Sequence, residues 1–107
     1  MLGTESKTNR GFGLIEFEDC YGKKCSIQQS SIATESCLWL GVDDAEPIIM
    51  KSDAQRMGLP LPPGEISGWM PFEVPAEVQM TTRMHLTVEQ VEGLVERLQA
   101  WLETEEL

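Results

Sequence analysis

The segment TTRMHLTVEQVEGLVERLQAWLETEEL (Thr81–Leu107) joins the clearest strand pattern of the chain to its longest helical pattern. Over Val78–Leu86, apolar and polar residues alternate, which is typical of a half-buried β-strand. Beyond that range, apolar residues recur at helical spacing, and Thr87 with Gln90 has the pattern of a capping box. The sequence therefore predicts a strand that continues directly into an amphipathic helix, which starts at Val88 and ends near Leu102.

The length and composition indicate one globular domain. Of the 107 residues, 41% are hydrophobic and 24% are charged. A chain of this length and composition can form one hydrophobic core of modest size but is too small to form two. Residues 1–11 show no periodicity and are predicted to form a flexible tail before a single domain at residues 12–107. The apolar runs are short and the first ten residues are polar, so we expect neither a membrane span nor a secretory leader. This pattern favours a cytoplasmic protein with reduced cysteines.

The net charge limits the classes of partner. Eighteen acidic residues against eight basic ones give a formal charge of −10. Such a charge repels nucleic acid and anionic lipid and favours cationic partners, so we expect no direct nucleic-acid or membrane binding. Acidity also keeps many small proteins soluble, so a solubilising charge and an acidic face for a partner both stay open.

Two strands near the N-terminus are predicted to form a hairpin. Phe12–Asp19 and Lys24–Gln29 have strand patterns. A three-residue loop, Tyr21–Lys23, with a glycine or its neighbour at positive φ, would place Phe17 opposite Ile27.

The middle of the chain is predicted to form shorter secondary-structure elements. The continuous apolar run Cys37–Val42 predicts a strand near the centre of the sheet. A short strand follows at Ile48–Met50, and Ser52 with Gln55 predicts a capped helix of one or two turns ending near Gly58. The order of elements favours an α+β fold: a small antiparallel sheet of three to five strands with a C-terminal amphipathic helix packed on one face.

Two apolar features have alternative interpretations. Leu59–Pro75 contains five of the six prolines and also Trp69, Met70 and Phe72, which either pin the loop onto the core or form an exposed binding patch. The helical stripe is expected to be core, because a helix in a small domain buries its stripe. A dimer contact that includes Trp101 is the alternative.

Neither a metal site nor a catalytic site is expected. The cysteine spacings are C-x4-C and C-x11-C, unlike the close pairs of zinc sites. The predicted hairpin places Cys20 and Cys25 on opposite faces, and Cys37 and His85 are distant in sequence. His85 is the only histidine, and the chain has no phosphate-binding loop or hydrolase motif. We therefore predict a protein without cofactor, metal or enzymatic turnover.

Three stretches, YGKKCSIQQSSIATE (Tyr21–Glu35), LWLGVDD (Leu38–Asp44) and TRMHLTVEQV (Thr82–Val91), together resemble a family of small, largely uncharacterised proteins encoded by phages and prophages. The resemblance covers roughly residues 12–107. It implies a phage accessory protein of the bacterial cytoplasm, with no reaction or catalytic residues.

The functional hypotheses concern binding. Small acidic phage proteins often block a host protein, as anti-CRISPR proteins do, so we expect an inhibitor of a host defence or nucleic-acid-handling protein with a basic surface. The alternative is a self-associating structural or assembly protein, for example a homodimer. A metal-binding protein or enzyme comes third. The candidate binding residues are Glu89, Glu92 and Glu96 on the helix, Trp69 and Phe72 in the proline-rich loop, and Gln28 and Ser30 in a polar run.

Overall fold

The computed structural model describes residues 1–107. Its elements are β1 (Thr4–Lys7), β2 (Gly13–Glu18), β3 (Lys24–Gln29), β4 (Cys37–Val42), β5 (Ile48–Met50), α1 (Lys51–Arg56), β6 (Trp69–Pro71), β7 (Arg83–Thr87) and α2 (Val88–Thr104). The chain divides into two compact units. Unit 1 contains Met1–Asp44 with Thr82–Leu107, and unit 2 contains Ala45–Thr81. The single domain at residues 12–107 stays a prediction.

Unit 1 is built on a five-stranded antiparallel sheet. Its strand order is β1-β2-β3-β4-β7, and α2 packs against the sheet at β7 and β4. The predicted α+β fold, a small antiparallel sheet with a C-terminal helix on one face, is thereby confirmed. The strand predicted at Cys37–Val42 is confirmed and its residues are all half-buried, but β3 and not β4 is the central strand of the five.

The pairing register gives this sheet two chemically different faces, because side chains alternate across each strand. The apolar face carries Ile15, Phe17, Cys25, Ile27, Leu38, Leu40, Val42, Met84 and Leu86. The polar face carries Glu16, Ser26, Gln28, Trp39, Arg83 and His85. α2 lies beside the apolar face, since Leu38 and Leu86 form one groove together with helix residues Val88 and Val91.

The flexible tail predicted at residues 1–11 is wrong for Thr4–Lys7, which pairs with β2. A tight turn makes this possible: the backbone N–H of Phe12 donates to the Thr8 hydroxyl at 3.0 Å, and Gly11 adopts a φ of +87°. All four side chains of β1 are exposed. The strand therefore lacks the alternation by which strands are recognised in a sequence.

The β2–β3 hairpin turns one residue earlier than predicted. Asp19 Oδ1 accepts hydrogen bonds from the backbone N–H groups of Tyr21 and Lys23, each at 2.9 Å, and Gly22 has a φ of +80°. This aspartate organises the turn through its own side chain. The loop is therefore residues 20–22, a three-residue loop as expected but with a different starting point.

This shift moves the strand register by two residues. Phe17 lies opposite Cys25, and Ile15 lies opposite Ile27, so the predicted pairing of Phe17 with Ile27 is wrong. A two-residue shift keeps every side chain on its predicted face, because the period of a strand is two. The distribution of apolar residues between the faces is thus retained.

The predicted strand that continues directly into the C-terminal helix is confirmed in part. α2 follows β7 without a loop, and Thr87 and Gln90 form both bonds of the predicted capping box, at 3.2 and 3.0 Å. The strand, however, begins at Arg83 and not at Val78. Its neighbour β4 ends at Val42, whose carbonyl accepts a hydrogen bond from the Thr82 hydroxyl, so the earlier residues have no strand to pair with.

Unit 2 contains a two-stranded antiparallel sheet of β5 and β6 together with α1. The short strand predicted at Ile48–Met50 is confirmed. α1 continues directly from it with Met50 in the N-cap position and no side-chain cap, so the capping box predicted at Ser52 is wrong. The helix ends as expected near Gly58, which has a φ of +74° and donates to the Gln55 carbonyl.

Candidate functional site

The most conspicuous surface of unit 1 is an apolar seam along α2. The seam consists of residues spaced alternately by three and four positions: Val88, Val91, Val95, Leu98 and Leu102. This spacing keeps the side chains on one face of the helix over its whole length. Val95, Leu98 and Leu102 remain 60%, 49% and 67% exposed.

Only the first turns of α2 are covered by the sheet. Val91 and Leu94 are half-buried, whereas every residue from Val95 to the chain end is exposed. The reason is geometric: a 17-residue helix is about 25 Å long, and α2 leaves the end of β7 without a loop that would turn it back over the sheet. The expectation that the stripe is core is therefore wrong for its C-terminal half.

A groove of about 290 Å³ lies where the seam meets the sheet. Leu38 and Leu86 form its wall on the sheet, and Val88 and Val91 form its wall on the helix. Glu92 stands at its edge. The start of the seam is thus an apolar hollow, and the remainder is an exposed ridge.

The predicted acidic residues flank this seam. Glu89, Glu92 and Glu96 are all exposed, and Glu89 and Glu96 recur with Glu103 at intervals of seven residues. The heptad spacing aligns these three carboxylates in one row beside the seam. These carboxylates form an acidic margin that lies outside the apolar seam, so a helix paired at the seam leaves them exposed.

A second cluster occupies the polar face. The Trp39 and His85 rings are stacked with centroids 3.9 Å apart, and the Arg83 guanidinium lies 5.4 Å from the centroid of the Trp39 ring. Arg83 donates to the Gln28 side-chain oxygen at 3.0 Å, and His85 Nε2 is 2.9 Å from the Ser30 hydroxyl. These contacts join β3, β4 and β7, and they combine aromatic stacking with a cation–π contact.

This cluster uses the two polar residues proposed for binding. Gln28 is half-buried under its bond to Arg83, and Ser30 is buried, with its hydroxyl also accepting the Ile32 N–H. The Ser30–His85 contact fixes the connection between β3 and β4 at its first residue. The sequence did not predict this cluster, because Trp39 and His85 meet only through the β4–β7 register.

The cysteines are free thiols in three different environments. Cys20 is exposed, Cys25 is buried and Cys37 is half-buried. Burial raises the pKa of Cys25, and the carboxylates of Asp19 and Asp43 raise it further. Burial also raises the pKa of Cys37, together with Glu35. A raised pKa lowers the thiolate fraction and therefore the reactivity at neutral pH. No group of three or more His, Cys, Asp or Glu residues is arranged to hold a metal ion.

In unit 2, Trp69 and Phe72 have separate environments. Trp69 is 61% exposed and lies opposite Met50, which is also exposed, in the two-stranded sheet of β5 and β6. Phe72 is 37% exposed and lines a groove of about 400 Å³ with Ile49 and Met70. The exposed-patch interpretation thus fits Trp69, whereas Phe72 is exposed at the groove and Met70 is half-buried there.

Comparisons with protein-family models, curated proteins and solved structures gave no match. Neither α1 nor α2 has the combination of length and apolar character required to cross a membrane.

Proposed function

We propose that this protein acts by binding other protein chains through the seam of α2, without catalytic turnover. The observation that carries the proposal is the exposure of the seam: Val95, Leu98 and Leu102 form a continuous apolar ridge that no other element of unit 1 covers. Exposed apolar area costs about 25 cal/mol per Å² relative to burial, so a covering partner stabilises the chain. Large exposed apolar patches with polar margins are typical of protein interfaces.

The acidic margin supports a more specific proposal about one partner. The row of Glu89, Glu96 and Glu103 beside the seam attracts a basic surface and accelerates encounter with it. Combined with the resemblance to phage-encoded proteins, this supports a host protein of the bacterial cytoplasm as the target, with inhibition as the result of binding.

The self-associating alternative is favoured by a different property of the seam. Its heptad spacing is that of helices that pair with copies of themselves. Self-association and host binding are compatible, since the seam and its acidic margin are adjacent but distinct surfaces.

Affinity capture with a seam variant tests the proposal. We expect the protein chains retained at the seam of the immobilised chain, an added soluble copy of the same chain included, to be lost with Leu98→Asp and kept with Ala100→Asp. Both variants add one carboxylate to an exposed helix position, but Ala100 lies away from the seam. Circular dichroism of both variants checks that α2 is retained. Identical sets of proteins bound by the wild type and by Leu98→Asp, identified by mass spectrometry, contradict a function at the seam.

A further inference from the structure

We infer that the seam binds a second copy of this chain, with the two α2 helices antiparallel and Val95 of one copy opposite Leu98 of the other. This inference rests on the proposed function and names the partner of the same surface. It makes the protein a two-fold symmetric dimer in which both copies use the same residues.

The exposed area of the chain is large enough to include such an interface. The chain exposes 8865 Å². Two separate globules of the sizes of units 1 and 2 would together expose roughly 7,100 Å². The excess of at least about 1,700 Å² belongs to the whole chain and not to the seam alone, and it exceeds the roughly 800 Å² that each partner covers in an interface of standard size.

The seam is complementary to itself when the helices run in opposite directions. With Val95 opposite Leu98, the next layer places Val91 opposite Leu102, and the two-fold axis repeats both layers. Each of these four layers then joins a valine to a leucine, whereas Val88 lies opposite Glu105, the C-cap residue of the second copy's helix. Pairing a smaller with a larger side chain fills the space between helices evenly.

The flanking positions are compatible with this arrangement. On one side of the seam, Leu94 meets Trp101 of the second copy, so two apolar residues pair. On the other side, Glu92 meets Gln99, which avoids a pair of like charges. The row of Glu89, Glu96 and Glu103 points away from the contact and stays available to a basic protein.

Charge also favours an antiparallel over a parallel pair of α2 helices. A parallel pair would bring together two acidic C-terminal ends, each with Glu103, Glu105 and Glu106. The antiparallel pair separates these ends by about 25 Å, several times the Debye length of about 8 Å at physiological salt. It also places each acidic end near the positive end of the other helix dipole.

The groove at the start of the seam gives the second copy a specific contact. Leu102 of the second copy lies opposite Val91, which is a wall of the groove formed with Leu38 and Leu86. A leucine side chain that is 67% exposed in one copy thereby gains an apolar hollow in the other.

The first experiment measures the mass of the whole protein in solution. Light scattering during gel filtration at about 100 µM, above the micromolar dissociation constants of weak interfaces, should give twice the chain mass of 12.0 kDa. Leu98→Asp places two carboxylates in the contact and should weaken the dimer at least about 100-fold. Ala100→Asp should leave the mass doubled. A mass of 12.0 kDa for the wild type overturns the inference.

Cysteine cross-linking tests the direction and register. In a background of Cys20→Ser and Cys37→Ser, the double variant Val91→Cys with Leu102→Cys should form a covalent dimer on oxidation. The two positions are about 16 Å apart in one helix, so the bond must join two copies. Val95→Cys alone should not cross-link, because antiparallel helices place Leu98 and not Val95 opposite it. Efficient cross-linking of Val95→Cys with none from the pair indicates parallel helices and overturns the inference.

The outcomes separate this inference from the proposed function. A monomer whose capture of bacterial proteins still depends on Leu98 refutes the second copy and leaves seam binding in place. A dimer that persists in Leu98→Asp refutes the seam as the dimer contact.

Discussion

At the scale of single residues, Gly41 controls the junction of β4 and β7. Its φ is +153°, and it lies between Ser26 and Arg83 in the sheet. A Cβ atom at this position would be 2.6 Å from the Thr82 carbonyl oxygen and 2.8 Å from the Arg83 Cα. Both obstacles are backbone atoms, so neither can move away without displacing the strand. The glycine therefore permits the close approach of the strand that leads into α2.

Gly41→Ala should destabilise unit 1 by at least about 2 kcal/mol, since it adds backbone strain and a clash in a packed sheet. Gly93→Ala is the matched control, because Gly93 lies inside α2 with open space where the added methyl group would stand, and it should gain roughly 0.5–1 kcal/mol. Denaturant titration measures both free energies. Equal stabilities for Gly41→Ala and the wild type would show that the close approach relaxes at no cost.

At the scale of secondary-structure elements, the start of α2 depends on the cap at the point where the backbone changes from extended to helical. Thr87 is the last residue of β7 and the N-cap of the helix, and it has extended φ and ψ angles. Thr87→Ala should cost about 1 kcal/mol, because the N–H of Gln90 loses its acceptor. Thr87→Ser keeps the hydroxyl and should lose much less. Thermal unfolding followed by circular dichroism compares them, and equal losses would assign the effect to the methyl group.

The same elements show which features a sequence pattern can predict. The helix, its cap and β4 were predictable because local spacing and capping residues specify them. The length of β7 was not, since a strand extends only as far as β4 can pair with it. The edge strand β1 carries no apolar alternation, and the hairpin register depends on one side-chain oxygen of Asp19.

The residues of the candidate site could be predicted from the sequence, but their exposure to solvent could not. The sequence identifies the apolar stripe and the glutamates of α2, because both follow helical spacing. Whether Leu98 is covered depends on the direction in which α2 leaves β7, which is a tertiary property. The Trp39–His85 stack likewise requires the strand order β4-β7.

At the scale of the whole molecule, the charge of −10 acts in opposite ways on the two kinds of association. Two copies of an acidic chain repel each other, and salt screens this repulsion, so the dissociation constant of the dimer should fall as ionic strength rises. A basic protein is attracted to the same charge, and salt weakens that complex. Salt dependence therefore distinguishes the second copy from a basic partner.

A variant in which Glu89, Glu92 and Glu96 are all replaced by Lys tests the effect of charge on both kinds of association. Each reversal adds two charges, which brings the formal net charge from −10 to −4. The variant should dimerise more tightly at low salt, because it relieves the charge repulsion between the two copies. Its dissociation constant should also depend much less on salt concentration, since this repulsion is what salt screens. The same variant should associate more slowly with a basic protein. Sedimentation equilibrium across a range of salt concentrations measures the first effect. A wild-type dimer that weakens steadily with added salt would mean that opposite charges hold the copies together, contrary to an apolar seam.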